Sequence, residues 1–422
     1  MAALAKGARP YQIVVWGATG FTGKILCEQM AAVYPGTCRW AMAGRNKGKL
    51  ESLRVELEKI DAMCKDVPLI VADAADQTSL DRMVEQTDVV VACAGPFFMY
   101  SEGVVDASVR LGTHYCDITG ETPWVKGLIR KYHDTAKARG VKLVSFCGQD
   151  SIPSDLGTWF VVDHMKKSLQ RKCDKVDGVC VKAKGGFSGG TISTAIKTTE
   201  LMLAAGNMKE SMDPYSLDPP DSRRGSDGAD LLMPVFQKEL GVWAGPFPMG
   251  AVNSRVVRRS NALLGHAYGD DFKYTEMWKQ GNWLGAFMTT AVLVVSFLII
   301  RFKFLQWLFG RYIPKPGQGP SVEDRKAGFW EYCMAGVTQE EPGVQPAVVK
   351  AKVADPHDPY TSTARMALES ALCLALESEN LKKAGAMQGG VLTPATAMGP
   401  VLIDRLRKVG FTFDIMEPEG NE

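Results

Sequence analysis

Much of what would place this chain quickly in a functional class is missing. Its ten cysteines include no CxxC pair, so neither a zinc ribbon nor a dithiol redox motif can be read from spacing, and no metal is expected. The five histidines stand isolated, which leaves no His-based proton relay in view. Lys and Arg total 49 against 47 Asp and Glu, a formal net charge of +2, and no long basic run appears, so nucleic acid is not an expected partner. The first apolar strand begins near Tyr11 and leaves no room for a secretory h-region. The scattered cysteines then read as free thiols in a reducing compartment.

What is present begins with IVVWGATGFTGKILCEQM, residues Ile13 to Met30. A short apolar strand runs into three glycines at spacing GxxGxxG and then into a helical pattern. Gly17 lets the chain turn off the strand. Gly20, lacking a Cβ, admits a pyrophosphate to the backbone amides at a helix N-terminus, and Gly23 lets helix and sheet pack closely. The intervening Thr19, Phe21 and Thr22 belong to the same cofactor-binding turn. A glycine triplet alone is also compatible with an ordinary turn; the order strand, glycines, helix is what points to a dinucleotide.

After PGT at 35–37, CRWAMAGRN reads as a second strand. NAD enzymes place Asp or Glu about 20 residues past the glycines to hold the ribose 2′-hydroxyl. Here Gly44, Arg45 and Asn46 stand at that point, with no acid before Glu51. A guanidinium suits a 2′-phosphate, so NADP(H) is preferred over NAD(H). Asp73, ending the third strand, either approaches the adenine amine or caps a turn. A fourth strand, Val89 to Ala94, meets a Gly95-Pro96 turn that borders the cofactor crevice. THYCDITGE and VKLVSFCG supply two more strands, and the alternation with helices means a doubly wound parallel sheet.

GATGFTG, AGR, AGPF followed by Tyr100, THYCDITGE and CGQDSIPSDLG together resemble the saccharopine dehydrogenase-like oxidoreductase family, which is also similar to the mycobacterial trans-acting enoyl reductases. The likeness continues through GGFSGGTISTA, AGPFPMGAVNSRVVRRSNALLG, PGQGPS, TARMALESALCLAL and GGVLTPATAMG, covering nearly the whole chain in order. It implies a Rossmann-type doubly wound sheet with an inserted α+β domain, and association with membranes or lipid droplets. The expected division is a dinucleotide-binding domain over 1–165, an inserted substrate or dimerisation domain over 166–345, and a stretch 346–422 returning to the first domain.

Candidate chemistry lies in FCGQDSIPSDLG. Ser154 or Asp155 can cap a following helix, which makes these polar residues turn chemistry, or else Asp150 and Ser151 face the nicotinamide and substrate. A reductase delivering hydride to a polarised double bond needs one proton donor, and Tyr100, Tyr115 and Asp150 are the candidates. GGFSGGT reads as a ligand-approach loop or a plain strand-to-helix corner, and 207–230 as a polar loop. Arg255, Arg258 and Arg259, at helical spacing, read as a solvated face or as partners for an acidic substrate head. A single helix is expected from Ala395 to Val409, with Met398, Leu402, Leu406 and Val409 on its core face.

One long apolar run remains, from Gln280 to Ile300 without a charge, followed by mixed aromatic and cationic residues to about 310. About 20 apolar residues can cross a bilayer. If the C-terminal part returns to the first domain, both flanks share one side of the membrane, which favours a monotopic hairpin over a single crossing. A buried core or dimer-interface helix is the alternative, so a homodimer stays open. The expected function is an NADP(H)-dependent reductase of a lipophilic small-molecule substrate. It would act at a membrane surface on the cytosolic side, on a lipid droplet in preference to a mitochondrial or other organelle membrane. A droplet-associated scaffold or sensor, and saccharopine reduction in lysine metabolism, are the alternatives.

Overall fold

The computed structural model describes residues 9–185, 189–204, 213–309 and 319–417. The first six strands are β1 (Tyr11–Trp16), β2 (Trp40–Gly44), β3 (Leu69–Val71), β4 (Thr87–Ala92), β5 (His114–Asp117) and β6 (Lys142–Val144). The next six are β7 (Cys173–Lys184), β8 (Val235–Gln237), β9 (Val242–Pro246), β10 (Lys273–Gln280), β11 (Phe329–Thr338) and β12 (Val348–Asp355). The last two are β13 (Gly390–Leu392) and β14 (Thr412–Met416).

Two seven-stranded sheets result. The first has the order β13-β6-β5-β4-β1-β2-β3 and is parallel throughout. Its strands are short and apolar on both faces because helices cover both, as a parallel sheet requires. Helices Gln77–Val84, Glu102–Leu111 and Thr122–Ala138 lie over one face, with Leu80, Val104 and Leu128 in its core. Helices Phe21–Val33 and Lys47–Glu58 lie on the other, joined by Pro359–Leu376, which packs against Phe21–Val33 and β4. The chain reverses between β1 and β4, and open sheets of this kind bind ligands at that switch point, beyond the carboxyl ends of the strands.

The second sheet has the order β14-β12-β11-β7-β10-β9-β8. Only β7 and β10 pair in parallel; the other pairings are antiparallel. Residues 346–417 are thus shared between the sheets, β13 pairing with β6 and β12 and β14 joining the second. Helix Ile152–His164 lies on β11 and β12 so closely that a Cβ on Gly157 would stand 3.0 Å from Met334. One apolar core therefore runs from Met30 and Leu368 through Leu156 to Met334 and Val353.

Several local expectations need correction. The helix expected over 395–409 is broken at Met398, giving Pro394–Ala397 and Gly399–Lys408. Gly399, at φ +43°, precedes Pro400, whose ring cannot continue a helix. The arginines of helix Gly250–Leu263 are neither solvated nor open to a substrate. Arg255, Arg258 and Arg259 are all at least 95% buried. Arg258 Nε donates to Asp227 at 2.6 Å, Arg255 pairs with Asp230 at 3.1 Å, and Arg259 donates to the Leu217 and Val391 carbonyls. They pin the segment from 213 onward and bind the helix to β13. The middle of the GGFSGGT corner, 186–188, and residues 207–212 of the polar loop lie outside the described residues, as do 310–318 beyond the apolar run.

Within that run the helix is Trp283–Arg301, followed by Lys303–Phe309. It is not a core helix: only Ala286 is buried, where the missing Cβ of Gly245 lets the helix base rest on β9.

Candidate active site

The cofactor crevice is assembled by three glycines. Gly17 leaves β1 at φ +81°, and a Cβ there would lie 2.8 Å from Ala94 N at the end of β4. A Cβ on Gly23 would stand 2.2 Å from the Gly17 carbonyl oxygen, and one on Gly20 3.2 Å from it. The end of β1, the start of helix Phe21–Val33 and the end of β4 can converge only without those carbons. Gly20 caps the helix with no side chain, and no acid occupies its first turn, so its leading N–H groups face an anion site. Thr19 is exposed there, its hydroxyl 4.0 Å from where a Cβ of Gly44 would be. Phe21 and Thr22 are half-buried, the Phe21 ring meeting Tyr360 edge-on at 5.3 Å.

Arg45 is exposed just past β2 and makes no hydrogen bond or ion pair to a described residue. Asn46 caps the following helix by accepting from Lys49 N at 2.9 Å. Arg45, Lys47 and Lys49 thus crowd the positive end of a helix whose first turn holds no acid. Cations there are unfavourable by themselves and suit a bound phosphate. These residues fit NADP(H). Asp73 is exposed past β3 and accepts from Ala75 N at 2.9 Å, which is turn chemistry. The Gly95-Pro96 bond is cis, with Gly95 exposed at the crevice. The amides of Phe97 and Phe98 behind it donate to the Glu121 carboxylate at 2.8 and 2.9 Å.

Of the proposed donors, Tyr115 lies fully buried in the core of the first sheet, away from the crevice. Tyr100 is half-buried beyond β4, its carbonyl accepting from Trp16 Nε1 at 3.3 Å. Asp150, past β6, keeps an exposed surface while protein packs round its carboxyl. Burial pushes its carboxyl up to about 6. Ser151 is buried and donates to Asn253 Oδ1 at 2.8 Å.

The surroundings of Asp150 include groups the sequence did not single out. Asn253 Nδ2 donates both to the Asp150 carbonyl at 2.5 Å and to Glu276 Oε1 at 3.0 Å. Glu276, 3% exposed in β10, also accepts from Ser154 Oγ at 3.0 Å and Tyr274 OH at 3.1 Å. Burial drives its carboxyl up to about 7 against the pull of these donors. Asp155 is likewise raised to about 7 by burial while accepting from Ser260 Oγ and Ala395 N. Asn253 and Glu276 stand among other polar residues of their helix and strand and form no motif. The one usable signal was Tyr274 and Glu276 at i, i+2, which puts both on one face of a strand.

Residues 13–144 match the family model of the saccharopine dehydrogenase NADP binding domain. Over 424 residues the chain is 34% identical to a trans-acting enoyl reductase of Mycobacterium tuberculosis, covering 95% of this chain and 97% of the relative. The enoyl reductase of Mycobacterium ulcerans is 33% identical over 432 residues, 96% of this chain and 98% of its own. In fold, the chain is similar to saccharopine dehydrogenase (L-Glu forming) from Saccharomyces cerevisiae. The TM-score is 0.52 at 13% identity, over 97% of this chain and all of that one.

Proposed function

The chain belongs to the saccharopine dehydrogenase-like family of NADP-binding oxidoreductases, together with the trans-acting enoyl reductases, and from that premise we propose that it reduces a lipophilic substrate at a lipid surface. Bound NADPH supplies a hydride to a polarised double bond. Asp150, past β6, and Tyr100, beyond β4, are the residues we assign to protonate the anion that this leaves. Ser151 and Asn253 hold the backbone of Asp150 in place.

The observation that carries the lipid surface is the bare apolar helix. Its apolar window is 6% buried, with Trp283, Leu284, Phe287, Val292, Val295 and Phe297 exposed. Its topology supports a monotopic arrangement. Trp278 of β10 aligns with Cys180 of β7, and Phe329 of β11 aligns with Lys184. The chain therefore leaves β10 and re-enters β11 at the same end of the second sheet, either side of β7. A single crossing would put those two points on opposite faces of the membrane; a hairpin dipping into one leaflet or a droplet monolayer does not. We place the protein on the cytosolic face of such a surface, a lipid droplet first.

The test mixes the full chain with NADPH and a long-chain α,β-unsaturated carbonyl compound, with and without phospholipid vesicles. NADPH oxidation faster in the presence of vesicles, and flotation of the protein with them, are expected. Protein that stays in the aqueous fraction, or NADPH that gives neither heat nor fluorescence change, overturns the reading.

A further inference from the structure

We propose that helix Gly189–Ala204 walls the mouth of the cofactor crevice and that Lys197 on it binds the anionic head of a single-chain lipid. The inference rests on the reductase reading and deepens it by naming the class of lipophilic substrate. That class is an amphiphile with a carboxylate or phosphate on one alkyl chain, as against a neutral lipid.

The helix meets the rim of the crevice at three successive points. Thr191 Oγ1 and the Tyr360 hydroxyl hydrogen-bond at 2.9 Å, and the Tyr360 ring lies against Phe21 of the glycine turn. Thr194 Oγ1 stands 3.6 Å from where a Cβ of Gly95 would be. Lys197 Nζ reaches Met99 Sδ at 3.6 Å, one residue before Tyr100. Positions 191, 194 and 197 fall on one side of a helix and follow about 9 Å of the rim. The same helix packs against the apolar helix Trp283–Arg301. One element thus joins the crevice to the surface that we assign to lipid.

Lys197 is the group on this wall with unused donors. An ammonium carries three, and a thioether is a weak acceptor. Among the described residues, the Met99 sulfur is the sole partner of Lys197. Glu121, the acid that anchors the Met99 loop, is buried and engaged by the Phe97 and Phe98 amides, and it forms no ion pair with Lys197. An anionic oxygen group supplies what the thioether does not, a charged acceptor for the ammonium. Beside the cation, Met99 is 45% exposed and offers a flexible apolar contact to the first carbons of a chain. A cation and an apolar side chain at the rim, on a helix that also touches the lipid-facing helix, suit a ligand charged at one end and oily along the rest.

The test uses the full chain and cis-parinaric acid, which fluoresces on entering an apolar site, with its methyl ester as the neutral probe. The acid should bind roughly tenfold more tightly than the ester, the worth of one hydrogen bond between charged groups. Lys197→Met should remove that difference by weakening the acid alone, leaving ester and NADPH affinities unchanged, and Lys197→Arg should keep it. Displacement of the probe by dodecanoate or by dodecyl phosphate, and not by dodecanol, identifies which anionic head the site prefers. Equal binding of acid and ester by the native chain overturns the proposal whether or not the variants fold, and so does a Lys197→Met protein that keeps the preference. A Lys197→Met protein that loses NADPH affinity puts the lysine on the cofactor and overturns it too. The probes are titrated without NADPH, so a failure of the reductase reading shows in the NADPH calorimetry and not in this comparison.

Discussion

Replacing Gly23 by Ala tests the crevice at its tightest point. The added Cβ would stand 2.2 Å from the Gly17 carbonyl oxygen, 3.0 Å from the Gly17 carbonyl carbon and 3.1 Å from Ala18 Cα. All three are backbone atoms and cannot swing aside as a side chain would. Regaining contact at roughly 3.5 Å forces the start of helix Phe21–Val33 back by about 1 Å. Overpacking of this kind costs about 1–3 kcal/mol. If the strain falls on the helix N-terminus that receives the pyrophosphate, NADPH affinity drops roughly 5- to 150-fold. Gly127→Ala is the control: it lies in helix Thr122–Ala138 with nothing within 4 Å of its Cβ, so the change should stabilise the helix by about 0.5–1 kcal/mol. Calorimetric NADPH titrations and thermal melts of both variants read the outcome. A Gly23→Ala protein that binds NADPH and melts as the native chain does refutes the packing account of the glycine turn.

Arg45→Glu should reverse the preference for NADPH over NADH, by roughly 10- to 100-fold, since the exposed guanidinium has no other partner to lose; fluorescence titrations with both nucleotides measure it. Val292→Asp with Val295→Asp changes two side chains that are 58% and 54% exposed. Folding by circular dichroism should be untouched. Each aspartate opposes entry into hydrocarbon by about 2.5–3.5 kcal/mol, so vesicle flotation should be lost. Asp155 bears on stability against pH. Its carboxyl rises from 3.8 to about 7 on burial, so the folded chain keeps a proton that the unfolded chain has released. This favours the folded state at low pH and is lost as pH rises toward about 7. Asp155→Asn should flatten that decline, which melting curves across the range detect; an unchanged slope counts against it.

The legible parts of this fold were local. Strand, glycine turn and helix over 11–33 follow one another within a single stretch, and the strands of the first sheet are continuous apolar runs. The second sheet was harder, because β7 finds partners about a hundred and a hundred and sixty residues further on, and no short pattern encodes such pairings. The arginines of helix Gly250–Leu263 show the limit most clearly. Spacing says that Arg255 and Arg259 share a face; what covers it is Asp230 on Arg255 and the Leu217 and Val391 carbonyls on Arg259, from segments no periodicity connects to the helix. Asp150 stood out because it follows a strand of the first sheet. Asn253 and Glu276, which link it to the second sheet, are single polar letters in unremarkable contexts.

The points where the chain quits β10 and resumes β11 flank one strand, about 10 Å apart at ordinary sheet spacing. Roughly three extended residues would bridge that gap. The oily excursion is therefore an appendage to a sheet that closes without it. The proposed lipid contact and the proposed reduction thus rest on separate pieces of the polypeptide.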